Sequence, residues 1–308
     1  MTRNRMRSHV FLALVLLTAG CARTVPTPAP TVARTAEAEI SRAAVTSPNS
    51  AVRLNVPYAG TTNPLQTLDI YSPQGAKDAP VVVYVHRGEW SKGDKSEVTF
   101  KPKFLNERGI VLVSVNYRLS PVSQHPAQVN DVAQAIAWII AHAAEFGGDG
   151  RKVILLGHSA GCHLVTLAGL DPRPLAGVGL KPSNLRGVVT WSGGAYDLPE
   201  KAREGGLYAG YIRATFGPDE AAWRDASPMA HVGDFKPLPP FLFVSAEKDT
   251  ASSIAASDRM ARLVTAAGGQ ADRLILPGKT HATADHDLGA PDDTTGAALL
   301  EFISRVTR

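Results

Sequence analysis

Hydrophobic positions along this chain alternate between short runs that are apolar throughout and longer stretches that are apolar every third or fourth residue. Residues 80–85 (Pro-Val-Val-Val-Tyr-Val), 110–115, 153–156, 187–191, 241–245 and 273–276 have the length and β-branched content of strands. Between them, residues 100–108, 127–146, 162–168, 252–267 and 294–306 repeat at helical spacing; Val129, Val132, Ile136, Ile139 and Ile140 mark the longest. Residues 52–58 and 66–71 predict two further strands, paired as a hairpin at the sheet edge. Strands that alternate with helices predict an α/β fold with a mostly parallel sheet. Because the strand runs are apolar on both faces, helices are expected on both sides. Residues 192–237, rich in glycine and aromatic residues, form the one sizeable insertion available to roof a site.

The first fifty residues stand outside this alternation. Arg3, Arg5 and Arg7 precede an apolar run over 10–17 that ends in Thr18-Ala19-Gly20-Cys21. A basic start, a short apolar core and small residues predict an export signal over 1–20, too short to span a bilayer as a permanent helix. Thr-Ala-Gly-Cys resembles a bacterial lipobox, with Thr18 where leucine is usual. Cys21 is therefore the expected lipidation site, and an exported, membrane-anchored lipoprotein facing the periplasm or the exterior is expected; plain secretion is the alternative. Residues 21–50, rich in Ala, Pro, Thr and Ser, read as a semi-extended tether, which leaves 51–308 as one α/β domain with a large core. The formal charge of +4 includes the three leader arginines, so the remainder carries +1 and gives no reason to expect a nucleic-acid partner. Of the two cysteines, Cys162 is expected to be a small buried hydrophobe.

The candidate chemistry begins at Gly157-His158-Ser159-Ala160-Gly161, entered from the 153–156 strand and left by a helix. G-x-S-x-G in that setting is a nucleophile elbow, in which glycines let strand and helix approach closely and the serine is held in a strained turn. Ser159 is the expected nucleophile, with the Ala160 amide beside any oxyanion that forms. A serine hydroxyl needs a base, and the base a carboxylate. In this fold they follow in the order acid, then histidine, at the ends of late strands. Asp249, just after the 241–245 strand, is the expected acid and His281, after the 273–276 strand, the expected base. Glu247 and His286 are the nearby rivals. His86, His125, His158, His163 and His231 precede the acid and are read as structural or surface histidines. No cluster of residues has metal-ligand spacing, so no cofactor is expected.

Together these residues resemble the α/β-hydrolase esterases that carry an H-G-G-x-W motif, close to carboxylesterase-lipase-like proteins and kynurenine formamidases. The similarity covers most of residues 64–305 and includes Asn116-Tyr117-Arg118-Leu119, Pro126 with Asp131, Phe146 to Asp149, the elbow, Asp249, His281 and Asp287-Leu288-Gly289. It implies an α/β-hydrolase domain, structural roles for Arg118 and Asp131, and an oxyanion hole completed by the amides of Gly88 and Glu89. The implied activity is hydrolysis of a small ester through an acyl-enzyme on Ser159; alternatives are an amidase or formamidase, or a silent envelope binding protein. The sequence departs from the motif at His86-Arg87-Gly88-Glu89-Trp90, where Arg87 replaces a glycine. Three outcomes follow for Arg87: a displaced, strained loop if its φ must be positive, a side chain turned outward, or a guanidinium placed to attract a substrate carboxylate.

Overall fold

The computed structural model describes residues 50–308, so the leader, Cys21 and most of the tether lie outside the described residues. Eight strands form one sheet in the order β1-β2-β4-β3-β5-β6-β7-β8: β1 (Ser50–Pro57), β2 (Thr67–Pro73), β3 (Ala79–Val85), β4 (Val111–Val115), β5 (Gly148–His158), β6 (Gly187–Trp191), β7 (Phe241–Ala246) and β8 (Ala271–Leu276). β1 and β2 pair antiparallel at the edge, as the expected hairpin, and β2 runs antiparallel to β4. From β4 to β8 every pairing is parallel.

Successive side chains of a strand point to opposite faces, and the core divides accordingly. Val81, Val83, Leu155, Val188 and Phe243 face a layer built from the helices Ala127–His142, Ala160–Leu170 and Ala251–Ala266. Val82, Tyr84, Ile154, Leu156 and Val244 face Phe104, Leu299 and Phe302 of the helices Lys101–Asn106 and Gly296–Val306. Both layers exclude water from the strands, which is why those runs carry no polar alternation.

Several boundaries differ from the sequence expectation. β5 begins at Gly148, earlier than the apolar run, because pairing with Ala79 of β3 holds the polar residues that precede it. The long helix ends at His142 and closes in a 3-10 turn, Ala143–Phe146, before Gly147 adopts a left-handed conformation at φ 79°. The insertion at 192–237 contains three α-helices, Leu198–Arg203, Gly206–Phe216 and Glu220–Asp225, and a 3-10 turn, Pro228–His231.

Candidate active site

In a parallel sheet the loops that follow the strands gather at one edge, and there the structure collects residues distant in sequence. Ser159 follows β5 directly and starts the helix Ala160–Leu170 with φ 54° and ψ −115°, a conformation that side chains other than glycine rarely adopt. The close approach that permits this turn is at Gly161, where a Cβ would lie 2.0 Å from the carbonyl oxygen of Val85. Asp249 follows β7, and His281 opens the short helix His281–His286 after β8. His281 Nδ1 lies 3.0 Å from Asp249 Oδ1. Asp249 also accepts the Ala246 amide at 2.9 Å. Burial works against its charge, yet hydrogen bonds with His281 and Ser192 outweigh it and hold the carboxyl below its usual range.

Two cavities meet at Ser159 and His281. One, of about 310 Å³, is lined by Gly193, Gly194 and Tyr208 together with Asp249; the other, of about 470 Å³, by Arg87, Gly88, Lys92 and Glu97. Glu89 borders both. The rivals lie apart from this arrangement. Glu247 accepts the Gly278 amide at 2.6 Å, and His286 is exposed, with Nδ1 2.9 Å from Asp287.

The loop after β3 settles where its strain falls. Arg87 is not among the residues with positive φ; Gly88 (114°), Glu89 (48°) and Trp90 (58°) carry that conformation. Strain at Arg87 is thus an expectation the structure corrects. A Cβ on Gly88 would meet the Lys92 carbonyl oxygen at 2.0 Å, so this is the position that requires glycine. Arg87 pairs with Glu97 at 3.1 Å on the wall of the larger cavity, and Lys92 pairs with Glu89 at 3.1 Å. Among the described residues, no hydrogen bond of the fold uses the amides of Gly88, Glu89 or Ala160, which leaves all three free to donate.

The BD-FAE family model matches residues 68–263, a span that holds the Gly88 loop, Ser159 and Asp249. The chain belongs to the BD-FAE family. Among its relatives, Esterase LipC of Mycobacterium tuberculosis is 32% identical over 259 residues, covering 80% of this chain and 64% of that protein. Isoprenylcysteine alpha-carbonyl methylesterase ICME of Arabidopsis thaliana is 28% identical, covering 75% of this chain and 56% of the relative. The chain thus spans little more than half to just under two thirds of these curated relatives. Two solved structures share the fold: a truncated carbohydrate esterase from gut microbiota, with TM-score 0.72, 22% identity and coverage of 85% of this chain and 99% of that one, and Esterase B from Lactobacillus rhamnosis, with TM-score 0.70, 21% identity and coverage of 89% and 92%. Both carry the α/β-hydrolase architecture that the sequence resemblance implies.

This BD-FAE chain also holds a site residue that sequence reasoning missed. Ser192, the residue after β6, is buried at φ 62°; its hydroxyl lies 2.8 and 2.7 Å from the two carboxylate oxygens of Asp249 and 3.0 Å from His281 Nδ1. Its amide donates to Val244 of β7 and its carbonyl accepts the Ser159 amide, which links the strand before Asp249 to the serine itself. The available signal was its place, directly after a strand lying between the Ser159 and Asp249 strands. Of the insertion aromatics, Tyr208 lines the smaller cavity, whereas Tyr196, Phe216 and Trp223 pack into the core. Cys162 is buried with its thiol pushed up by burial, and Asp131 takes three hydrogen bonds from Arg118, so both behave as the sequence predicts.

Proposed function

We propose that this protein is a serine esterase that cleaves small carboxylic esters through an acyl-enzyme on Ser159. The observation that carries the reading is the elbow serine facing cavities it shares with His281, whose Nδ1 is 3.0 Å from the Asp249 carboxylate. Three catalytic roles follow, for Ser159, His281 and Asp249. The Ser159 Oγ forms a bond to the ester carbonyl carbon while His281 Nε2 takes its proton, and Asp249 stabilises the imidazolium. The carbonyl electron pair moves to oxygen, where the amides of Ala160, Gly88 and Glu89 receive it as an oxyanion hole. Collapse breaks the bond to the alcohol, which leaves with the proton from His281; water, activated by the same base, then releases the acid. The esterase and methylesterase relatives support an ester as substrate.

The test is intact-mass spectrometry after exposure to a fluorophosphonate, paired with hydrolysis of a short-chain aryl ester. A single adduct is expected, absent from Ser159→Ala, whose turnover should fall by roughly three powers of ten or more. A folded protein with neither adduct nor turnover would overturn the reading, and equal rates on an aryl formamide would move it to an amidase.

The export signal and the Cys21 anchor belong to the same proposal, supported by the leader pattern. When the full chain is expressed in bacteria, Cys21→Ser should shift it from the membrane fraction to the soluble one. An unchanged distribution would remove the anchor.

A further inference from the structure

Beneath His281 lies a buried set of ionisable and polar groups for which the proposed chemistry has no use. His158, the last residue of β5, is fully buried, and its Nε2 is 2.9 Å from the main-chain oxygen of His281. The two imidazole rings stand 4.8 Å apart, and His158 Nδ1 lies 3.8 Å from Asp285. Asp285 sits one turn after His281 on the same short helix. Its carboxylate is 2.8 Å from Lys101 Nζ and accepts the Tyr84 hydroxyl at 2.9 Å; Lys101 Nζ also donates to the Asp285 carbonyl at 2.8 Å. Trp191 Nε1 donates to the Ala284 carbonyl at 2.7 Å. Lys101, Tyr84 and Asp285 are all buried.

Taking a lysine and an aspartate out of water carries a desolvation cost that their attraction need not repay, so a buried ion pair is weak grounds for stability alone. Its geometry is more informative. A helix of six residues is too short to hold its own orientation, and the one that carries His281 is tied by main-chain or side-chain bonds to β3, β5, β6 and the helix Lys101–Asn106. The bonds converge on its buried side, while the His281 ring is half-exposed at the cavities. We propose that Lys101, Asp285 and His158 are positioning residues that set the location of the His281 imidazole relative to Ser159 and Asp249. The proposal rests on the esterase reading for its kinetic consequence but not for its geometric one. The charge states agree with it. Burial opposes ionisation of Asp285, but Lys101, His158 and the hydrogen bonds from Lys101 and Tyr84 prevail and bring it down to about 2. His158 is pulled down to about 4, chiefly by burial, and is neutral near pH 7 with its Nε2 proton on the His281 carbonyl.

The test compares the full chain with His158→Phe, the neutral double variant Lys101→Met with Asp285→Asn, and the conservative Lys101→Arg. Two readouts are taken: steady-state hydrolysis of an aryl ester, and the downfield proton resonance of His281 Nδ1–H, assigned by its loss in His281→Ala. His158→Phe and the double variant should lower kcat about tenfold or more with KM within about twofold, and should shift or broaden the resonance. Lys101→Arg should retain most of both. Variants that fold, by circular dichroism, with kcat and resonance unchanged would overturn the proposal. If the double variant does not fold, His158→Phe, which removes one hydrogen bond and no ion, decides the matter. If the wild type turns over no ester, the esterase reading falls, and the resonance alone still decides whether these residues place the ring.

Discussion

A hydroxyl buried between a carboxylate and an imidazole can give its proton to only one of them, and at Ser192 the two short contacts to Asp249 decide which. The carboxylate then receives Ser192, the Ala246 amide and His281 together. Removing one donor from a buried charged acceptor forfeits on the order of 1.5 kcal/mol or more. Ser192→Ala should therefore reduce kcat/KM on an aryl ester roughly tenfold. An unchanged value would reduce the hydroxyl to packing. Residues of the site differ in how far the sequence betrays them. Ser159 is legible because steric demands on both sides force glycine at 157 and 161, and such demands leave a pattern. Asp249 and His281 are legible through their places after strands. Ser192 is a lone serine, and Lys101 and Asp285 read as ordinary charges in polar stretches; only the tertiary structure shows them buried against one another.

Among elements, the central strands were the most legible because burial on both faces leaves few polar residues in them; of the edge hairpin, β2 is likewise buried through its middle and only β1 is largely exposed. The insertion was opaque for a physical reason. Its helices are six to eleven residues long and separated by glycines and prolines, and the two shortest bury few apolar side chains, chiefly Leu198 and Trp223, so little apolar pattern marks them. What starts two of them is local: Asp197 caps Glu200 and Asp219 caps Ala221. Their function is to close the space above the sheet. Ile212 and Phe216 of the helix Gly206–Phe216 join the core, and Trp90 of the Gly88 loop packs edge-on against Tyr208 and Phe216. The roof is therefore in contact with the loop that offers the free amides. In the same way, the first turn after β8 is legible as a place for a histidine but not as a helix, since its orientation comes from bonds made beneath it.

For the molecule as a whole, buried histidines set the response to acid. Burial lowers His125 and His158 to about 4 and His163 to about 3, and lowers His86 as well. His163 accepts the Trp90 indole proton at 3.2 Å while its other nitrogen faces the Ala226 carbonyl, a pairing that only the neutral ring satisfies. The unfolded chain protonates these rings near 6.5, before the folded chain does. Stability is thus fully present above about pH 6.5 and is lost as pH falls toward 4 and 3, by about 1.4 kcal/mol per pH unit for each ring in its window. Asp285 adds a second loss below about pH 4, because its folded value of about 2 lies beneath the unfolded one. Denaturant midpoints measured at pH 7 and pH 4.5 should fall steeply between the two. His158→Phe should make the slope shallower than wild type, and an equal slope would mean that this ring does not titrate on unfolding.

The order of the strands has a bearing on biosynthesis. Ser159 comes from the middle of the sheet, but the imidazole at the same cavities is delivered by the turn after β8, an edge strand and the last described strand in sequence. If His281 is the base, a ribosome-bound chain with its elbow already formed would still lack it, and a chain cut short before residue 281 would carry Ser159 without its proposed proton acceptor. On the esterase reading, the site would stay chemically silent until β8 and the turn after it had joined the sheet.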